Sequence, residues 1–336
     1  MTKELLGELE LNRIYQCDCI EGMRRIPDDS VDLIVIDPPY NIGKDKRWDK
    51  WRSVDDYVAW MMEVFLECER VLKPNGSFYW FHNDFEQIVE LHRALCENTT
   101  FVFKQLIVWN KRFEGARNKG FLDGFVETGG LRNYQQMAEY CLFYTFQDET
   151  GLEKILPLAF KPYLDYMTEQ KERMGWKAKD FNEYLGYKSI ASHWFWQDKE
   201  RTKQPQPRFI AEKDYLKLQE TGYFKKPYEE LRKEYEKQRY VFNNQKTHHS
   251  VWNYEVAPKI GHITPKPVEL IENIIRHSSN EGAIVLDCFM GSGTTAVAAV
   301  KLKRNFIGFE REPEYVKIAN QRLENVLDVD DGCISR

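Results

Sequence analysis

The chain has 336 residues, 42% of them hydrophobic, 14% aromatic and 30% charged, room for one large core or a core plus a subdomain; that balance excludes collagen-like, low-complexity and largely disordered chains. No apolar run reaches the roughly 18 to 20 residues of a bilayer span, Met1–Leu5 lack a basic-then-apolar leader, and seven scattered cysteines fit a reducing cytosol. Forty-eight Lys and Arg against 53 Asp and Glu give −5, which taken as a whole speaks against a nucleic-acid partner.

From residue 12 to 145 strands and helices alternate. Apolar or β-rich runs at 14–17, 33–36, 77–81, 105–109 and 140–144 predict strands. Between the second and third, Val58–Leu66 has helical spacing and stops at Lys73-Pro74-Asn75-Gly76, a break-and-turn sequence. Another helix is expected from Phe85 to Cys96. Residues 151–250 break the alternation with polar helical candidates such as Tyr228–Arg239. The alternation then returns: helix Val268–His277, strand Ala283–Leu286, helix Thr294–Leu302, strand Asn305–Phe309 and a helix from Tyr315. Such a pattern predicts an α/β fold with a mainly parallel sheet covered on both faces. The expected division is 1–150 and 251–336 as two halves of one domain, with 151–250 inserted between them.

Asp37-Pro38-Pro39-Tyr40 directly follows the second strand. Ligands of open α/β sheets bind beyond the carboxyl ends of strands. There the prolines fix the backbone and supply carbonyls without N–H groups, Asp37 supplies carboxylate acceptors, and Tyr40 supplies a flat ring. Acceptors beside a stacking face suit a planar group that carries an exocyclic amine. Asp287-Cys288-Phe289-Met290-Gly291-Ser292-Gly293-Thr294-Thr295 lies between a strand and a helix, and Glu310 follows Gly291 by 19 residues. The glycines permit close approach to a ligand, the helix start favours an anionic group, and Glu310 is placed to accept from ribose hydroxyls. A lone Gly-x-Gly fits NAD, S-adenosylmethionine or plain packing; the missing third glycine and Walker lysine demote NAD and ATP. In His262-Ile263-Thr264-Pro265-Lys266-Pro267, Thr264 and Lys266 are candidates to cap a helix and to meet a carboxylate. Cys17 and Cys19 lack a second ligand pair nearby, so no metal is expected.

Together these residues resemble the S-adenosylmethionine-dependent DNA amino-methyltransferases of the adenine-N6 and cytosine-N4 type. The resemblance covers residues 12–145 and 250–325. It implies that Asp37, Pro38, Pro39 and Tyr40 form the catalytic motif. It also implies that Asp18, Cys19, Asp37, Thr264, Lys266, Asp287, Phe289, Gly291, Ser292, Gly293, Thr294, Thr295 and Glu310 surround S-adenosylmethionine. Ile263 departs from the proline usual in the family's third motif. Catalytic motif, insertion, then cofactor loop is the circularly permuted order of the beta class, so the resemblance implies a Rossmann-like methyltransferase fold assembled from both ends of the chain. The implied reaction flips adenine out of DNA, stacks it on Tyr40, and methylates N6 while Asp37 and the Pro38 carbonyl accept from the amine. Cytosine N4 is the alternative, and a catalytically silent DNA-binding partner a more distant one. Further partners left open are a second copy of the chain and a cognate restriction endonuclease; the implied compartment is the cytoplasm, with no membrane.

Within the insertion, Lys179–Phe195 resembles a helix-turn-helix whose second helix begins near Lys188 and presents Ser189, Ser192 and His193. Arg208 ends an extended polar loop. Lys44, Lys46, Arg47, Lys50 and Arg52, among two tryptophans after the catalytic motif, suit phosphates and unpaired bases. The charge is divided accordingly: residues 161–246 hold 19 Lys and Arg against 14 Asp and Glu, so the remainder carries −10.

Overall fold

In the computed structural model the described residues are 4–43, 45, 48–116, 137–146, 160–195, 208–238, 242, 249–258 and 265–333. The chain forms two compact units, Met1–Phe146 with Val241–Arg336, and Gln147–Tyr240.

The first unit opens with a two-stranded ribbon, β1 (Leu5–Leu6) and β2 (Leu9–Glu10). The elements that follow are β3 (Arg13–Gln16), α1 (Cys19–Met23), β4 (Val31–Ile36), α2 (Val54–Val71), β5 (Leu72–His82), α3 (Phe85–Asn98), β6 (Val102–Asn110) and β7 (Ala138–Thr145). Helix α2 starts where Ser53 Oγ accepts from Asp56 N at 3.1 Å, with Asp55 and Asp56 against the positive helix end. Its buried residues, Tyr57, Met61, Val64, Phe65, Cys68 and Val71, recur at helical spacing and form one apolar face. Burying Phe65 or Phe78 in full stabilises the fold by about 2–3 kcal/mol each.

The Lys73–Gly76 sequence differs from its expected role as a break between helix and strand. Leu72 already pairs with Val31, and pairing resumes at Ser77 opposite Leu33, so the four residues bulge from within β5. A Cβ at Gly76 would lie 2.4 Å from the Leu72 side chain, which is why the bulge closes on glycine.

The second unit contains α4 (Phe160–Met174), α5 (Ala178–Leu185), α6 (Glu212–Gln219) and α7 (Tyr228–Gln238). They surround a core of Tyr163, Phe181, Trp194, Phe195, Tyr215 and Phe224. Helix α5 ends at Gly186 in the left-handed conformation (φ 79°). The second helix expected from Lys188 does not form. A single 3-10 turn, Ala191–His193, stands in its place. The Asn182 side chain accepts from Ile190 N and Ala191 N, both at 2.9 Å, and so ties this turn back onto α5. Trp194 and Phe195 then turn into the core.

The first unit resumes with β8 (Val251–Asn253), α8 (Val268–Ser278), β9 (Ile284–Asp287), α9 (Thr294–Lys301), β10 (Asn305–Glu310) and α10 (Pro313–Cys333). The sheet order is β3-β10-β9-β4-β5-β7-β6-β8. Strands from β3 to β5 are parallel to their neighbours, β7 runs antiparallel to β5 and β6, and β8 is parallel to β6. The two ends of the chain meet where β4 pairs with β9, Leu33 opposite Val285 and Ile34 opposite Leu286. From this seam β4 crosses to β5 on one side and β9 to β10 on the other. Right-handed crossovers in opposite directions put their helices on opposite faces and open a crevice at the carboxyl ends of β4 and β9. Among the described residues no helix is long and apolar enough to cross a membrane, and no cluster of three His, Cys, Asp or Glu side chains is placed to hold a metal.

Candidate active site

A cavity of about 380 Å³ occupies that crevice. Its walls come from the residues that follow four neighbouring parallel strands: Cys17 and Asp18 after β3, Glu310 at the end of β10, Asp287–Ser292 after β9, and Asp37–Tyr40 after β4. The size suits a nucleotide-sized ligand.

One end of the cavity is built by the β9 loop and its neighbours. Asp287 receives the Thr295 hydroxyl on Oδ2 at 2.5 Å and Phe289 N on Oδ1 at 3.0 Å. Burial pushes its carboxyl up to about 7 against those two bonds, helped by the charges of Asp37 and Glu310. Glu310 accepts Gly291 N on Oε2 and Glu312 N on Oε1, each at 2.8 Å, and burial raises its pKa as well. Asp18 caps α1 by accepting Ile20 N at 2.9 Å, and Cys19 is buried beside it. Ser292 and Thr294 face inward to the fold: Arg322 donates to Ser292 O, Ser292 Oγ and Thr294 Oγ1 at 2.7, 3.0 and 3.1 Å. Gly291 and Gly293 have φ of 52° and 81°. At Gly293 a Cβ would stand 2.7 Å from that of Ala319, so α10 sets the need for glycine there and ligand approach does not. An aromatic wall completes this end, with Trp60 edge-on to Phe289 at 5.8 Å and Trp51 packed on Trp60 at 4.8 Å.

The other end is built around Asp37. Tyr40 donates its hydroxyl to Asp37 Oδ1 at 2.5 Å, and Lys266 donates to Asp37 Oδ2 at 2.5 Å. The same ammonium reaches the Tyr40 hydroxyl at 3.1 Å and Glu139 Oε2 at 3.2 Å, while Lys111 pairs with Glu139 Oε1. Burial, then the charges of Asp37 and Glu139, hold the Tyr40 hydroxyl well above its usual pKa, so it is a donor. Burial pushes the Lys266 ammonium down, but Asp37 and Glu139 outweigh it and the net shift is upward. Burial likewise pushes Glu139 up, and Lys266 and Lys111 more than reverse that, holding it below the usual carboxylate range. His82 packs its ring 4.7 Å from that of Tyr40, and burial pushes its pKa down to about 4, so it is neutral at pH 7. The motif backbone is pinned from two helices: Tyr57 donates to the Pro39 carbonyl at 2.7 Å and Gln87 to the Tyr40 carbonyl at 3.2 Å. Asn41 then adopts a left-handed φ of 53° and accepts Trp51 N at 2.9 Å, folding the next loop back along the cavity.

The structure thus gathers Asp18, Cys19, Asp37–Tyr40, Lys266, Asp287, Phe289, Gly291, Ser292, Thr294, Thr295 and Glu310 around one cavity. Lys266 does meet carboxylates, and they are the chain's own Asp37 and Glu139. The following helix begins at Val268 without a side-chain cap. Thr264, Lys44, Lys46 and Arg47 lie outside the described residues. Lys50 is exposed at the cavity mouth and Arg52 is exposed nearby. Ser189, Ser192, His193 and Arg208 belong to the second unit, where Ser189 and Arg208 are exposed and Arg208 N donates to the His193 carbonyl at 3.0 Å. Sequence reasoning misses Glu139, Lys111, Trp60 and Arg322. Only Glu139 carries a signal, as an acidic residue at the head of the apolar strand 140–144, where a buried charge demands a partner.

The family model for N6/N4-type enzymes, described as DNA methylase, matches residues 31–321. The chain is 31% identical over 325 residues to the type II methyltransferase M1.MboII of Moraxella bovis, covering 96% of this chain and 99% of that one. It is 28% identical to the DNA adenine methyltransferase YhdJ of Escherichia coli, covering 94% of this chain and 83% of that one. Among solved structures, the PvuII cytosine-N4-specific DNA methyltransferase superposes with a TM-score of 0.55 at 13% identity over 94% of this chain and 90% of that chain, a likeness of fold.

Proposed function

We propose that this chain, which belongs to the N6/N4 DNA methylase family, methylates the N6 amine of adenine in DNA with S-adenosylmethionine as donor. The observation that carries the reading is Asp37: a carboxylate at the seam of the sheet, held by two donors, beside a cavity with a second carboxylate, Glu310, on another wall. The resemblance of Asp-Pro-Pro-Tyr to the adenine-specific motif and the likeness to a relative named as an adenine methyltransferase support adenine over cytosine.

The donor set fits the cofactor. Glu310 offers carboxylate lone pairs for ribose hydroxyls, Trp60 and Phe289 offer an apolar wall, and Asp287 adds an acidic group toward a cationic ligand. S-adenosylmethionine supplies a methyl group already activated on a sulfonium. The chain's own residues then act on the amine. Asp37 and the Pro38 carbonyl accept its hydrogens, which draws its lone pair out of conjugation and stabilises the positive charge that develops on it. Tyr40 is only 6% exposed, so stacking on a flipped base requires its ring to be uncovered. The same movement breaks its bond to Asp37 Oδ1 and frees that oxygen for the amine, while Lys266 keeps Oδ2 in place. The second unit and the exposed Lys50 and Arg52 supply positive charge toward phosphate.

The test is to incubate the protein with labelled S-adenosylmethionine and unmethylated genomic DNA, digest the DNA and identify the modified nucleoside. N6-methyladenine is expected, and Asp37→Ala is expected to abolish its formation while retaining cofactor binding. N4-methylcytosine would overturn the base assignment. Full activity in Asp37→Ala would overturn the role of the motif.

A further inference from the structure

Glu139 is the second residue of β7, about a hundred residues beyond Asp37 in sequence, and lies at the same end of the sheet because β7 is antiparallel to β5, with Tyr140 opposite His82. Its side chain is 5% exposed and that of Lys266 is 7% exposed. Lys266 donates to two acceptors, Asp37 Oδ2 and the Tyr40 hydroxyl, and its ammonium stands in ion-pair contact with Glu139 Oε2 at 3.2 Å. The rings of Phe81, Tyr40 and Trp109 lie 5.2, 5.5 and 5.8 Å from the nitrogen and crowd it on its remaining sides. Lys111 binds the other oxygen of Glu139, so the carboxylate is fixed before it fixes anything else.

We infer that Glu139 is a positioning residue for methyl transfer, acting through Lys266 to hold Asp37 in the orientation that receives the target amine. The inference rests on the catalytic reading of Asp37. Without Glu139, the buried ammonium keeps one carboxylate in place of two. Removing one partner of a buried ion pair leaves an uncompensated charge. Either the ammonium shifts and Asp37 Oδ2 loses its fixed donor, or it loses its proton and Asp37 Oδ2 is left with a weaker, neutral one. Lys111, with its side chain 25% exposed, has water as a substitute partner, whereas the Lys266 side chain is only 7% exposed. The groups that face Lys266 are Asp37 and Tyr40 from the loop after β4, Glu139 and Cys141 from β7, and Lys111 beyond β6. Of the charged ones among the described residues, Lys111 is the one that opposes its charge.

The experiment measures single-turnover methyl transfer to unmethylated genomic DNA by the wild type, Glu139→Gln, Glu139→Asp, Lys266→Met and the double variant, with cofactor binding followed by calorimetry. Glu139→Gln is expected to slow transfer on the order of 10²-fold, the loss typical of a reacting group displaced by about 1 Å, with cofactor affinity held within about threefold. Its rate–pH profile acquires an alkaline limb at lower pH than in the wild type, because Lys266 has lost one of the two carboxylates that hold its proton, and Glu139→Asp recovers part of the rate. Adding Glu139→Gln to Lys266→Met costs nothing further; this comparison stands even if Glu139→Gln alone fails to fold. An unchanged rate and profile in Glu139→Gln, or a further loss in the double variant, would overturn the inference while leaving the function intact. A wild type that transfers no methyl group would overturn the function itself, and the inference with it.

Discussion

Asp287 gives a prediction that needs no DNA. Its carboxyl is held at about 7 in the folded chain against an ordinary value of 3.8. A group with a raised folded-state pKa contributes stability that is present below its unfolded value and is lost as pH rises through the folded one. At 1.36 kcal/mol per unit, the full loss is about 4 kcal/mol, complete above pH 7. Asp287→Asn has nothing to titrate. Its side chain keeps one acceptor for Thr295 or Phe289 and forfeits the other, a pH-independent cost of about 1 kcal/mol. The unfolding free energy of the variant relative to wild type therefore climbs by about 3 kcal/mol between pH 5 and pH 8 and then levels off. Guanidinium unfolding of the sheet unit without cofactor, measured for both chains at each pH, gives this difference directly, because groups common to both cancel. Parallel stability curves over that range would refute the account of Asp287 as a carboxylate penalised by burial.

Two further outcomes are expected. Gly293→Ala adds a Cβ 2.7 Å from that of Ala319 at a φ of 81°, and the combined clash and strain should destabilise the sheet unit by about 2–4 kcal/mol in thermal or denaturant unfolding; a wild-type melt would show that α10 yields freely. DNA affinity should fall by roughly 10³-fold or more between 50 and 200 mM salt, as for a protein with several phosphate contacts. Replacing Lys50 and Arg52 with alanine should make the slope of log affinity against log salt less steep, and a salt-independent affinity would remove the electrostatic footprint altogether.

What the sequence displays of this site is what lies in contiguous motifs at strand ends. Asp37–Tyr40 and Asp287–Thr295 each follow an apolar run, and a parallel sheet brings such positions to one edge wherever the strands fall in order. The partner of Lys266 was not readable. A lysine after Thr264-Pro265 announces a carboxylate but not whose, and Glu139 arrives through an antiparallel strand pairing that local patterning does not encode. The failed second helix has a similar cause. The spacing after Gly186 reads as a helix, yet Asn182 ties Ile190 and Ala191 back to α5, and Trp194 and Phe195 turn into the core directly after, a tertiary packing that spacing does not display. Lys73–Gly76 looked like a stop because proline and glycine break local structure, whereas pairing across the sheet continues on both sides of it.

The seam between β4 and β9 also governs when the protein becomes able to work. Asp32 receives Ile284 N across 252 residues of chain, and the strands that carry Asp37 and Asp287 touch only there. Closing so long a loop is slow relative to local helix formation. During synthesis the strand bearing Asp37 emerges early and waits with one flank unpaired until β9 has been made. A chain halted after Tyr40 but before Ile284 has Asp-Pro-Pro-Tyr and no pocket to serve it, so methylation capacity arises only once β9 and β10 have been made.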